Sequence, residues 1–250
     1  MTKKIALLFL VFITQNLFAQ IQDCAECSSK IYTDKDIKGL TLLELKLLRN
    51  EIFARHQYVF ENDRLSAYFL EKYEWYKPNI QNSTRIQLNS NEKENIALFK
   101  KHEAQKETLK KTIMVELMGL KKTINELNDP KIDDIFEPLH IQSSAYRDAI
   151  IFELKMILNK IDLKSIHWYN ETGLYKVTTD NGYIINETSV SIVGDKVTLY
   201  YNDSTHSELM SDETVFSFGS SYESIEEHAT WYTFTIVDGH LKLIDQKSAG

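Results

Sequence analysis

The chain is poor in the features that announce a metal, a nucleic acid or a membrane. It holds only two cysteines, so a zinc site would need two more ligands, and His56 or His102 could supply them only through a coincidence of folding. His102, His167, His206, His228 and His240 are scattered and show no His-x-x-x-His spacing, so no metal is assigned. Ser66, Ser217 and Ser220 lack the flanking glycines of a nucleophile elbow, Gly219 standing alone. Positive charge is also short: 29 Lys and Arg face 36 Asp and Glu, a net charge of −7, which argues against generic nucleic-acid binding. No apolar run approaches the roughly 20 residues that cross a bilayer. Neither a catalytic residue nor a cofactor is indicated, and a non-catalytic role is expected over an enzymatic one.

What the chain does contain begins with a targeting pattern. Lys3 and Lys4 precede the apolar run Ile5 to Ile13, and Leu17-Phe18-Ala19 closes the segment. This reads as a secretory signal peptide over residues 1–19, cleaved before Gln20. A lipoprotein would be acylated at Cys24 instead, but Ile21-Gln22-Asp23 lacks the small residue such sites carry. Once Lys3 and Lys4 are removed, the net charge moves from −7 to −9. Export places the protein in the periplasm or outside the cell, where Cys24 and Cys27 in Cys-Ala-Glu-Cys are expected to form a disulfide. A redox centre ranks below that, because no strand leads into a helix at the first cysteine. A metal site ranks lower still.

The densest signals lie between Leu40 and Pro78. Thr41 and Glu44 form a capping box, so a helix is expected from Leu42. Leu45, Leu48, Ile52 and His56 recur at three- and four-residue steps on one face, while Glu44, Lys46, Arg49 and Glu51 lie off it. Glu51 and Arg55 are placed as a surface pair. Asn62 or Asp63 can cap a second helix carrying Leu65, Tyr68 and Phe69. This stretch, with Leu48-Arg49-Asn50-Glu51-Ile52, Phe53-Ala54-Arg55-His56-Gln57, Phe60, Tyr68-Phe69 and Trp75-Tyr76-Lys77-Pro78, resembles a YARHG domain over residues 38–103. The resemblance implies a presumed extracellular bacterial module with no established catalytic residues. Two positions depart from the motif: Phe53 stands for tyrosine, and Gln57 for the glycine best suited to a left-handed helix end.

Farther along, Asn89 and Glu92 offer a second capping box ahead of Ile96, Leu98 and Phe99. Nothing in the polar stretch Lys100 to Lys111 breaks a helix, so it reads as a spacer or as the exposed side of a longer one. Ile113, Leu117, Leu120, Ile124 and Leu127 then step by four, three, four and three, suiting either a helix that covers its own C-terminal domain or a homodimer seam. Asn128-Asp129-Pro130 stops it. Ser143 or Ser144 can cap a further helix with Ala149, Phe152, Leu154, Met156, Ile157 and Ile161 as its apolar face. From Ile166 onward, β-type runs are expected at 174–179, 183–186, 189–193, 197–201, 214–218 and 230–237, with turns at Gly194-Asp195 and Asp238-Gly239. In the last run Tyr232, Phe234 and Ile236 should face the core.

The fold class is therefore α+β: a segment with the two cysteines at 20–37, a helical domain at 38–103, a connecting helix at 104–128, and a C-terminal domain at 129–250. In that last part a helix packs on an antiparallel sheet, in the manner of NTF2-like folds by analogy. The binding candidates are Arg49, Arg55, His56, Trp75, Tyr76 and Lys77. Aromatics beside a loop can stack on sugars or peptide side chains while cations meet an anion. The structural alternatives are a Trp75 that plugs a small core, arginines in ordinary ion pairs, and a helix-end His56. The expected function is an exported envelope or secreted protein whose helical module binds a cell-surface, cell-wall or protein partner. The alternative is a ligand-binding or enzymatic C-terminal pocket using Glu153, His167 or His228.

Overall fold

The computed structural model describes residues 23–83, 86–126, 131–205 and 227–250, with the side chains of Asn82, Ser83 and Lys131 outside that description. Residues 1–19, the expected strand at 214–218, and the candidate groups His206, Ser217 and Ser220 fall outside it as well. Helix α1 (Leu42–Arg55) starts where the capping box places it: Glu44 N–H donates to the Thr41 hydroxyl, and Thr41 N–H donates to the Glu44 carboxylate at 2.7 Å. The short α2 (Asp63–Lys72) is capped by Asn62, whose side chain accepts from Leu65 N–H, and α3 (Ile80–Ser83) is a single turn.

Helix α4 (Ser90–Asn125) runs unbroken for 36 residues, about 54 Å at 1.5 Å per residue, and joins the two halves of the molecule. Its first turns bury Ile96 and Phe99 with Leu45, Leu48 and Ile52 of α1. Its last turns bury Ile113, Leu117, Leu120 and Ile124 in the C-terminal core. The stripe expected to cover the C-terminal domain or to form a homodimer seam from Ile113 to Leu127 thus packs within the chain over Ile113, Leu117, Leu120 and Ile124; Leu127 lies outside the described residues. The polar middle of the helix is held by charge. Glu103 takes both Nε and Nη2 of Arg49 (2.7 and 3.3 Å), and Glu107 takes Lys46 at 3.1 Å.

Beyond α4 come α5 (Lys131–Phe136), a 3-10 turn at Glu137–Leu139, and α6 (Ser144–Lys160), whose Ser143 cap accepts from Tyr146 N–H. Six strands then form one antiparallel meander in sequence order: β1 (His167–Tyr169), β2 (Thr172–Asp180), β3 (Ile184–Val193), β4 (Lys196–Thr205), β5 (Glu227–Val237) and β6 (His240–Ala249). The two runs expected at 183–186 and 189–193 are one strand, because Glu187 and Thr188 continue its alternation and pair with Asn202 and Tyr201 of β4. Asp238 and Gly239 both have positive φ (50° and 85°), as a primed two-residue turn requires.

One face of this sheet carries Val190, Ile192, Val197, Leu199, Tyr232, Phe234, Leu241 and Leu243, all buried against α4 and α6. The α+β class and the inward Tyr232 and Phe234 are as expected, with Ile236 partly buried beside them. Three members of the expected apolar face of α6 are not: Ala149, Phe152 and Met156 are exposed, Phe152 at 63%, because they sit about 140–200° around the helix from Leu154, which faces the sheet.

The two halves also meet at the tip of the β1–β2 hairpin. The Glu171 carboxylate accepts from Lys106 Nζ of α4 at 2.5 Å and from Leu42 N–H at the start of α1 at 3.1 Å. A carboxylate at a helix N-terminus satisfies an orphan donor and complements the helix dipole. Lys110 lies over the face of Trp168, 4.1 Å from its centroid, on the same side.

Candidate functional site

The candidate surface is built where α1 ends. Gln57 follows the C-cap His56 and adopts φ +61°, so the helix stops in the left-handed geometry usually given to glycine, at a cost of about 1–2 kcal/mol for a residue with a Cβ. The side chain that brings this cost also offsets it. Its Nε2 donates to Trp75 O (3.2 Å), and its Oε1 accepts from Lys77 N–H (2.5 Å). The amide thereby pins the Trp75-Tyr76-Lys77 segment to the end of α1. Gln57→Ala should keep the strain and lose both bonds, whereas Gln57→Gly loses the bonds but relaxes the backbone. The glycine variant is therefore expected to be more stable than the alanine variant by about 1 kcal/mol, as urea denaturation would read. Equal midpoints would remove the backbone argument.

Within this pinned segment, Trp75 and Tyr76 take opposite roles. Tyr76 is only 2% exposed; its ring packs with Phe60 and Phe69, and its hydroxyl donates to Tyr58 O at 2.6 Å. It belongs to the core and presents nothing to a partner. Trp75 is 36% exposed and does not plug that core. It stacks on Tyr73 at 4.5 Å between centroids, and the Arg55 guanidinium lies 4.9 Å from its ring. Lys77 is exposed beside it.

This array rests on Glu51, which is buried rather than at the surface. Its side chain is 3% exposed. Oε1 accepts from Arg55 Nη2 (2.7 Å) and Nε (3.2 Å), and Oε2 accepts from the Tyr73 hydroxyl (2.7 Å). Glu51 therefore sets the orientation of both neighbours of Trp75. Burial, reinforced by the hydrogen bond to Glu51, raises the Tyr73 phenol above its ordinary pKa of 10.0.

Arg49 and His56 stand apart from this array. Arg49 is engaged with Glu103. His56 Nε2 lies 3.0 Å from Glu92 Oε1, on the carboxylate that also closes the α4 capping box. Both join α1 to α4. Cys24 and Cys27 are bonded to each other and buried in the core shared by α1 and α4.

In the C-terminal half, the groups weighed as an alternative centre do not converge. His167 is on β1 and His228 on β5, with three strands between them. His228 Nε2 lies 3.2 Å from its neighbour Thr230 Oγ1, while Glu153 accepts from the Tyr232 hydroxyl at 2.5 Å. Burial first, then Glu153, raises the Tyr232 phenol above 10.0 as well.

A phenol raised in the fold keeps its proton after the unfolded chain has released its own. Its contribution is complete below about pH 10 and is lost as pH rises through the folded value. Stability to urea should therefore fall from pH 10 upward, and Tyr232→Phe should blunt that fall; a flat profile between pH 9 and 11.5 would contradict the two hydrogen-bonded phenols.

A family model, the YARHG domain, matches residues 23–104. The match begins before the boundary at 38 drawn from sequence, and the buried Cys24, Cys27, Tyr32 and Ile37 share one cluster with α1 and α4. The chain matches no curated protein and no solved structure.

Proposed function

We propose that this chain, which carries a YARHG domain at residues 23–104, is an exported envelope or secreted protein in which that domain binds a cell-wall or cell-surface partner without catalysis. YARHG domains are typical of exported proteins, and among the described residues no helix is long and apolar enough to cross a membrane. The observation that carries the binding reading is Trp75: a large aromatic left 36% exposed between Tyr73 and Arg55, both fixed from below by buried Glu51. A rigid exposed aromatic beside a cation is the arrangement that gains most from stacking on a sugar or peptide face, because little side-chain entropy is left to lose. Lys77 and the outer side of Arg55 suit an anionic substituent on the same partner. The C-terminal sheet serves as a second platform, locked to the first through Glu171.

The test is co-sedimentation of the oxidised chain, Gln20 to Gly250, with purified cell-wall sacculi and with outer-membrane vesicles. The intact protein should pellet with one of them. Trp75→Ala, folded by circular dichroism, should lose about tenfold in affinity, the value of one stacking contact of 1–2 kcal/mol. Pelleting with neither material would end the envelope-binding reading, and undiminished pelleting of Trp75→Ala would move the site off this surface.

A further inference from the structure

Helix α4 contains one glycine in its 36 residues, Gly119. A glycine inside a helix weakens it relative to alanine through backbone entropy. Here no close approach demands it, because a Cβ built on Gly119 meets no atom within 4 Å. What lies in front of it is a cavity of about 220 Å³, walled by α4, by α5 and by the β5–β6 hairpin. That is roughly seven times the volume one water occupies in the liquid.

The lining is divided by chemistry. Leu120, Ile135 and Leu241 supply an apolar floor and are themselves buried. Glu116, Asp134 and His240 supply the polar wall. Asp134 is neutralised by Lys242, whose ammonium also donates to Asp134 O at 3.0 Å and sits 3.5 Å from Glu137. Glu116 has no lysine or arginine partner among these groups. Its Oε2 accepts from Leu241 N–H at 3.2 Å and lies 3.3 Å from His240 Nδ1, leaving further acceptor capacity on the carboxylate.

We propose that this cavity binds a small primary ammonium compound, its apolar chain lying over Leu120, Ile135 and Leu241 in the room left by Gly119, and its ammonium received by Glu116. A carboxylate beside an apolar floor selects by charge and by shape together: an anion of the same shape meets Glu116 unfavourably, and a neutral analogue leaves it without the ion pair. The site is separate from the Trp75 surface and does not depend on that reading.

The probe is n-butylammonium chloride, titrated into the full chain by calorimetry at low ionic strength, with sodium butyrate and n-butanol as controls. The wild-type protein should show saturable binding of butylammonium in the millimolar range and none of butyrate. Glu116→Gln should weaken it about tenfold. Gly119→Leu should abolish it by filling the cavity, and Gly119→Ala, whose methyl meets no atom, should raise the thermal midpoint of the free protein while weakening binding several-fold. The alanine variant keeps the test decisive should the leucine variant fold poorly. The site is overturned by any of three results: no saturable binding by the wild type, butyrate binding as well as butylammonium, or undiminished binding by the folded Gly119 variants.

Discussion

Arg55→Ala should lower the stability of the folded protein by about 3 kcal/mol, far more than the loss of a surface arginine would suggest. The guanidinium donates twice to Glu51, whose carboxylate is 3% exposed while Arg55 itself is 29% exposed. Removing the arginine strands a buried carboxylate with one phenolic donor left, the Tyr73 hydroxyl. Breaking a buried pair from one side costs about 3–5 kcal/mol because the remaining charge is uncompensated; the solvent-facing side of Arg55 puts this case at the low end. Adding Glu51→Gln to the same chain removes the stranded charge, so the double variant should be more stable than Arg55→Ala alone. Lys46→Ala provides the comparison. Its pair with Glu107 is more than 40% exposed on both sides and should be worth less than about 1 kcal/mol. The measurement is the urea midpoint with an unchanged slope. Equal losses for Arg55→Ala and Lys46→Ala would mean that Glu51 is solvated after all, and the fixed platform under Trp75 would go with it.

The burial of Glu51 also marks where the sequence stops being legible. Its spacing to Arg55 identifies the pair, since four residues on a helix are neighbours whatever else happens. Whether that pair faces water depends on Tyr73, 22 positions later and on the far side of α2. The capping boxes at Thr41 and Asn89 could be read in full because each is closed by residues three apart. Trp75 and Tyr76 could not be separated: both are large aromatics in a short connection, and their opposite directions follow from Gln57 gripping the backbone on either side of Tyr76. The same limit applies to the stripe from Ile113, where periodicity establishes an apolar face but not whether its partner is a second copy or this chain's own sheet. Gly119 gives a sequence sign of a different kind, a helix-weakening residue whose meaning appears only with the cavity in front of it.

Asn95→Ala should release the segment of residues 23–40 from the rest of its domain. Asn95 is fully buried in α4, and its amide holds that segment at three points. Nδ2 donates to Cys27 O (2.9 Å) and Lys30 O (2.8 Å), and Oδ1 accepts from Tyr32 N–H (2.7 Å). Alanine leaves two carbonyls and one N–H without partners in a closed site, each costing about 1–3 kcal/mol if it stays buried. The segment escapes that cost by opening to water, with a penalty near 3 kcal/mol relative to the wild type. The disulfide provides the readout. Cys24 and Cys27 are buried and lie only three positions apart in sequence, so the bond contributes little stability and its resistance to a small thiol comes from the cover above it. A shift of about 3 kcal/mol in the opening equilibrium corresponds to reduction faster by on the order of a hundredfold, while the far-ultraviolet spectrum should change little, since residues 23–40 contribute no helix or strand. Asn95→Asp should be worse than Asn95→Ala, because a carboxylate can still accept from Tyr32 but must face two carbonyl oxygens it cannot donate to. If the thiol reduces the wild-type and Asn95→Ala disulfides at the same rate, residues 23–40 open independently of α4, and the core that unites them with α1 has to be redrawn from residue 38 onward.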